Sequence, residues 1–283
     1  MENNEITTKE KLKTYFETGK YPTEDQFAEL IDFLSLKEDV PGNKELVTLA
    51  NNLAALENGY IVYNTITIED EKFPIVVSSK EGEDQTFTIG KTENKEQKRY
   101  FQGSAPYRVS TKEFLVDQLE GYRYYYLNTQ IDDGHTTGRL FGNNLPPVPE
   151  NFKLGTVENK KISVKISKED FDRRISNVHT RIAFVNKTDI LIEYALYANY
   201  WSNTYISEDI ITDHYDVGDF LVCFYRADLS GISRPIECRI YDADNDFLLM
   251  TTSLVPDQKN TNVQAGGVLS GIRNARIECF YQS

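Results

Sequence analysis

Basic residues are scarce in this chain, and so are tryptophan, methionine, cysteine and histidine. Over 283 residues, 31 Lys and Arg stand against 44 Asp and Glu, giving a formal charge of −13 and a pI near 4.8. Such a surface lacks the basic footprint that a phosphate backbone selects, which argues against general DNA or RNA binding and against binding to anionic membranes. No apolar run approaches the roughly 18 residues of a spanning helix, so no membrane insertion is expected. The opening Met1-Glu2-Asn3-Asn4-Glu5 has neither the basic nor the apolar region of a secretory signal. A protein made in a bacterial cytoplasm is the expectation. Cys223, Cys238 and Cys279 sit among apolar, strand-like residues without CxxC spacing, and read as small buried hydrophobes rather than metal or redox groups. His135, His179 and His214 lie far apart and form no HExxH. No metal and no cofactor is expected.

Aromatic residues are abundant: 18 Tyr and 15 Phe accompany the single Trp and the 2 Met. Tyrosine at this level suits β-structure and wet interfaces, because the ring packs while the hydroxyl reaches water. The first 37 residues are different in kind. Thr7 with Glu10 has capping-box spacing, and Leu12, Tyr15 and Phe16 then follow at i, i+3, i+4. Gly19 is a helix stop. Beyond Pro22, Thr23 with Gln26 makes a second capping box, and Phe27, Leu30, Ile31 and Leu34 recur at i, i+3, i+4, i+7. Two short amphipathic helices are predicted. They cannot bury both apolar faces against each other and need a partner surface.

The run Lys11-Leu12-Lys13-Thr14-Tyr15-Phe16-Glu17-Thr18-Gly19-Lys20, then Pro22-Thr23-Glu24 and Gln26-Phe27-Ala28-Glu29-Leu30-Ile31-Asp32, resembles the N-terminal module of fibre and tail structural proteins of Bacteroidetes phages and prophages, the crAss-like phages included. The likeness spans residues 7–38. It implies a virion component whose N-terminus docks or trimerises, and it brings no active site with it.

A turn at Pro41-Gly42-Asn43 separates that module from Leu46, Leu49, Leu53 and Leu56, spaced three, four and three. This is an a/d seam about two heptads long. Its partner is either further copies of itself, in a trimer as the resemblance to phage fibres implies, or the core of the next domain. From Gly59 the period turns to alternation, predicting strands near 61–68, 73–79, 86–90, 100–102 and 122–127. A short helix is expected from Ser110, capped by Glu113, to Gly121. The run Gly142 to Pro149, with three prolines, is the best linker. After it, strands are expected near 161–167, 180–186, 190–198, 220–226, 236–242, 247–252 and 275–281, with a helix over 167–176. Seven short strands suggest a β-sandwich or jelly roll. The expected fold is therefore mainly β behind an N-terminal helical anchor: 1–37 docking module, 38–58 oligomerising helix, 59–145 β-rich domain, 146–283 C-terminal β-sandwich.

Motifs for catalysis are thin. Gly90-Lys91-Thr92 has Gln85 where a phosphate loop needs glycine. Asp242-Ala243-Asp244-Asn245-Asp246 starts like a calcium loop but continues with Phe247 and Ser253, which favours a turn between strands. His214, in Asp213-His214-Tyr215-Asp216, has no GxSxG elbow to serve. The segment Tyr197, Asn199, Tyr200, Trp201, Asn203, Tyr205 admits two readings. As a ligand site, Tyr197, Tyr200, Trp201 and Tyr205 would stack on a host-surface glycan while the amides bond its hydroxyls. As a core or interface, the same aromatics would simply be buried.

The function expected is thus structural: a head or tail fibre, spike or adaptor, not an enzyme, with its own copies, other virion proteins and a host glycan as partners. The alternatives are a polysaccharide-degrading hydrolase, for which only unassigned carboxylates speak, and a carbohydrate-binding module.

Overall fold

The computed structural model describes residues 8–33, 59–80, 82–93, 95–116, 119–131, 136–157, 161–259 and 262–282. Residues 1–53 and 54–283 form two separate units. Leu34 and the seam Leu46, Leu49, Leu53 and Leu56 lie outside the described residues, as does His135. The first unit holds α1 (Thr8–Thr14) and α2 (Glu24–Phe33).

The second unit is built of strands. In chain order they are β1 (Tyr60–Ile66), β2 (Phe73–Ser78), β3 (Gln85–Ile89), β4 (Gln97–Tyr100), β5 (Tyr107–Thr111), β6 (Arg123–Ile131) and β7 (Thr136–Phe141). Then come β8 (Lys153–Val157), β9 (Lys161–Asp170), β10 (Asn177–Val178), β11 (Arg181–Asn186), β12 (Ile192–Ala198), β13 (Trp201–Ser202) and β14 (Ile210–Ile211). The rest are β15 (His214–Tyr215), β16 (Phe220–Ala227), β17 (Ile236–Asp242), β18 (Phe247–Leu254), β19 (Val263–Gln264), β20 (Leu269–Ser270) and β21 (Asn274–Tyr281). The chain is mainly β.

One long sheet runs through the unit in the order β19-β16-β12-β13-β7-β6-β9-β1-β4, with β20 also on β16. A four-stranded sheet, β3-β2-β5-β8, and a five-stranded sheet, β14-β11-β21-β17-β18, complete it beside the small β10-β15 ribbon. Two apolar cores result. In the first, Ile61, Tyr63, Ile162, Val164 and Ile166 of the long sheet meet Phe73, Ile75, Val77, Tyr107 and Val109 of the four-stranded sheet. In the second, Tyr194, Leu196, Leu221, Cys223 and Tyr225 meet Ile182, Ile236, Cys238, Ile277 and Cys279 of the five-stranded sheet. Each half includes one parallel pair, β1 with β9 and β11 with β21, which a purely antiparallel jelly roll does not contain.

The two cores lie on opposite faces of the long sheet and overlap at β6 and β7. Successive side chains of a strand point to opposite faces. Tyr125, Leu127 and Phe141 enter the first core, whereas their neighbours Tyr124 and Leu140 enter the second. That is why Tyr124-Tyr125-Tyr126-Leu127 shows no alternation of apolar and polar residues: both faces are covered there. Phe73 gathers Phe114, Tyr125 and Phe141 around it at ring separations of 5.2, 5.4 and 5.5 Å. On the other face Tyr124 Oη donates to Asn144 Oδ1 at 2.6 Å and accepts from Ile175 N at 3.0 Å, so its burial leaves no polar atom unpaired. Gly138 on β7 permits the close packing. A Cβ there would lie 2.8 Å from the Tyr126 hydroxyl.

Several expectations are corrected. No helix forms over 167–176: β9 is paired with β1 as far as Ser167 and with β6 as far as Asp170, and this pairing overrides the local capping signal. The helix expected from Ser110 to Gly121 is likewise absent among the described residues. Ser110 belongs to β5, and Phe114 bridges Val148. The proline run 142–149 is packed rather than free, because Leu145 enters the second core and Val148 the first. The division expected at residue 146 falls inside this packing, and β8 and β9 pair with strands that precede it. β4, β7 and β8 have short or polar patterns that the alternation rule passes over.

Candidate functional site

The helical unit owes its geometry to the second capping box. Thr23 N donates to Gln26 Oε1 at 3.0 Å and Gln26 N to Thr23 Oγ1 at 3.3 Å, the reciprocal pair that satisfies orphan amides at the start of α2. Gly19, at φ 89°, turns the chain after α1. Glu29 joins the two helices, accepting from Lys11 Nζ at 2.6 Å and from Tyr15 Oη at 2.7 Å. Those two donors hold its carboxyl below the usual range. Leu12 is buried at 4 %, and Tyr15 and Leu30 are half-buried. Phe16, Phe27 and Ile31 are not: they remain 44, 50 and 56 % exposed. The Phe16 and Phe27 rings meet edge to face at 5.7 Å, and Ile31 lies one turn further along α2, so the three form one bare apolar patch.

The aromatic-amide segment does not assemble into a single platform. Trp201 is 4 % exposed, enters the second core and places its indole 6.4 Å from the His214 ring. Tyr200, at φ 59°, turns its ring edge-on to Tyr126 and Phe171 at 5.1 and 5.2 Å. Asn203 is absorbed by β12, its Oδ1 accepting from Leu196 N at 2.7 Å. Tyr197 stays partly exposed. Tyr205 lies in a cleft under the Arg226 guanidinium, 4.2 Å from its ring centroid, and burial pushes its hydroxyl up to about 12. Of the four aromatics, Tyr205 is the one that lines this cleft.

That cleft encloses about 750 Å³, where the β8 edge of the four-stranded sheet meets the face of β12 and β16 turned away from the second core. Neighbouring-strand register sets its floor: Arg108 stands between Ser78 and Thr156, and Ser110 faces Lys153. A bulge between Val109 and Ser110, with Gly155 at φ 144°, puts Leu154 in as the extra residue. A second cleft, of about 580 Å³, is bounded by pairs that neutralise each other, Lys168 with Glu69 at 2.6 Å and Arg123 with Asp170 at 3.3 Å. Neither cleft was legible beforehand, since both join residues more than a hundred positions apart.

His214 is buried among polar partners. His214 Nδ1 meets Thr212 Oγ1 at 3.0 Å and its Nε2 meets Asp219 Oδ1 at 3.4 Å. The row has the composition of a nucleophile, a base and an acid, but Thr212 and His214 are buried and Thr212 Oγ1 also accepts from Thr180 N. Asp219 is engaged by Arg273 at 2.6 and 3.0 Å. A substrate has no path to that hydroxyl. Cys238 and Cys279 lie directly opposite on β17 and β21, sulfurs 3.3 Å apart and buried. The Asp242–Asp246 segment closes the β17–β18 turn through its own bonds, Asp244 N to Asp242 Oδ1 at 3.0 Å and Phe247 N to Asn245 Oδ1 at 2.9 Å. No group of three metal-ligating side chains occurs among the described residues.

Burial holds the His214 imidazole below its ordinary 6.5, against the opposing pull of Asp219. The unfolded chain therefore takes up this proton first as pH falls. The contribution of neutral His214 is complete above the unfolded value and is lost below it. Urea titrations should show stability falling as pH drops through about 6.5 and below, by no more than about 1.4 kcal/mol per unit from this group. His214→Gln should flatten that slope; an unchanged slope contradicts the assignment.

No protein-family model matches the chain, and no curated protein matches it. Among solved structures it is similar to the major pilin protein (T-13) of Streptococcus pyogenes serotype GAS131465, at 10 % identity over 80 % of this chain and 97 % of that one, with a TM-score of 0.19. A likeness that slight carries no argument.

Proposed function

We propose that this chain is a structural protein of a bacteriophage particle, a fibre, spike or adaptor of head or tail, docked to the particle by its N-terminal helices. The single observation that carries the reading is the Phe16, Phe27 and Ile31 patch. These apolar side chains stay open to solvent on a helix pair whose own caps and ion pair are satisfied. A unit this short gains little by exposing three large apolar groups unless another surface covers them. The same residues carry the likeness to phage fibre and tail modules. In this reading residues 1–37 are the helical anchor, residues 38–58 the oligomerising segment, and the two-layer β halves are sandwiches presented for protein or host-surface contact.

The a/d seam of Leu46, Leu49, Leu53 and Leu56 makes self-assembly the expectation, and the likeness to phage fibre modules points to a trimer. Light scattering on the purified protein should return three times the 32.5 kDa chain mass, and Leu49→Asp with Leu53→Asp should reduce it to one. A monomer at micromolar concentration, indifferent to those substitutions, contradicts the oligomeric part of the proposal.

A further inference from the structure

We propose that the 750 Å³ cleft at β8, β12 and β16 binds a carboxylated saccharide chain. This deepens the virion reading by giving the β unit a ligand. It is tested on isolated protein, so it can fail while the particle assignment stands.

Charge is the first argument. In a chain of −13, this cleft brings together Arg108, Lys153 and Arg226 against Asp84 and Glu193. Glu193 is taken by Arg226 at 2.8 Å. Arg108 and Lys153 are exposed and pair with no carboxylate among the described residues. They sit on adjacent strands, two positions out of direct register, so their like charges repel when nothing lies between them. An anionic group bridging them relieves that repulsion and accepts charge-assisted hydrogen bonds from both. The second cleft pairs Lys168 with Glu69 and Arg123 with Asp170, and sets its third cation, Lys91, in a lining that also holds Glu93 and Glu169, so acidic groups outnumber basic ones there.

The lining chooses the class of anion. Ser78, Ser110, Asn151, Thr156 and Thr204 present short hydroxyl and amide groups beside the cations. Each supplies both donor and acceptor capacity, which matches a ligand carrying a hydroxyl on almost every carbon. Of the apolar lining, Val109 and Leu154 are buried into the first core and Ile206 packs partly against the second. Tyr205 adds one rigid edge, its hydroxyl donating to Asn262 Oδ1 at 2.8 Å and its ring fixed under Arg226. The volume lies within the roughly 300–1,000 Å³ of ordinary ligand clefts. A sugar chain with carboxylates offers acceptors to the cations and a run of hydroxyls to the serine, threonine and asparagine groups, whereas an acidic peptide meets those groups only with its backbone N–H and C=O.

The experiment titrates the full-length protein with an oligogalacturonate in a calorimeter, alongside the same oligosaccharide with its carboxyls reduced to alcohols, and alongside poly-glutamate. The proposal expects saturable binding of the oligogalacturonate and at least tenfold weaker binding of both comparators. Arg108→Gln with Lys153→Gln should weaken the oligogalacturonate at least tenfold without moving the melting temperature. Should that variant melt early, carbodiimide coupling of the bound oligogalacturonate to the wild-type protein decides, with an adduct on Lys153 supporting the site. Absence of binding, equal binding of the carboxyl-reduced chain or of poly-glutamate, or coupling that misses Lys153 overturns the proposal.

Discussion

Trp201→Ala should lower the stability of the β unit by about 3–5 kcal/mol, the range for emptying an aromatic site in a packed core. The indole is 4 % exposed, pairs through β13 with Ala198 of β12, and packs in the second core beside the His214 ring. Neither β12 nor β7, which flank β13, can collapse inward without breaking ladder bonds, so the cavity should persist. Urea denaturation at neutral pH measures the loss directly. Oligogalacturonate affinity of the folded fraction should not change, since Trp201 does not line the cleft. A loss below about 1 kcal/mol, coupled with a fall in saccharide binding, would reverse the assignment and restore Trp201 as an exposed stacking residue.

That outcome turns on a distinction the sequence leaves open. Tyr197, Trp201 and Tyr205 look alike in spacing and company, and their fates diverge through a single turn at Tyr200 whose positive φ no residue pattern announces. Alternation served well where one face is wet. Ile236, Cys238 and Ile240 are buried while Glu237, Arg239 and Tyr241 are only partly so, as the sequence implies. It also located β9, although the strand runs on through the apparent capping pair at Ser167 and Asp170. Where both faces are covered, at Tyr124 and Tyr125, the pattern marks a strand but not its two-sided burial. The expected linker misled for a related reason. Prolines do favour an extended chain, yet Leu145 and Val148 between them each fill a different core. The capping box at Thr23 and Gln26 was fully legible, because its chemistry is local. The cleft was not, because Arg108, Lys153 and Arg226 meet only through the stacking of separate sheets.

The second large effect concerns the helical patch. Phe27→Asp with Ile31→Asp replaces two exposed side chains on one face of α2. The change removes the edge-to-face contact of Phe27 with Phe16, worth about 0.5–1.5 kcal/mol within the helical unit, but the Thr23–Gln26 cap and the Lys11–Glu29 pair are untouched. The β unit should melt as before. Docking should not survive. Central apolar anchors cost about 2 kcal/mol or more each when lost from an interface, which is roughly a 30-fold loss of affinity apiece, and a buried carboxylate adds its own desolvation penalty. The paired change should therefore remove the protein from the particle rather than thin it out.

Quantitative mass spectrometry of density-purified phage particles is the most direct test. Particles carrying the wild-type chain should contain it at a fixed copy number relative to the major capsid protein, in a multiple of three per attachment point. Particles assembled with the Phe27→Asp and Ile31→Asp chain should contain none, although that chain accumulates folded in the host. A wild-type chain missing from purified particles, or a doubly substituted chain present at the wild-type copy number, contradicts the account.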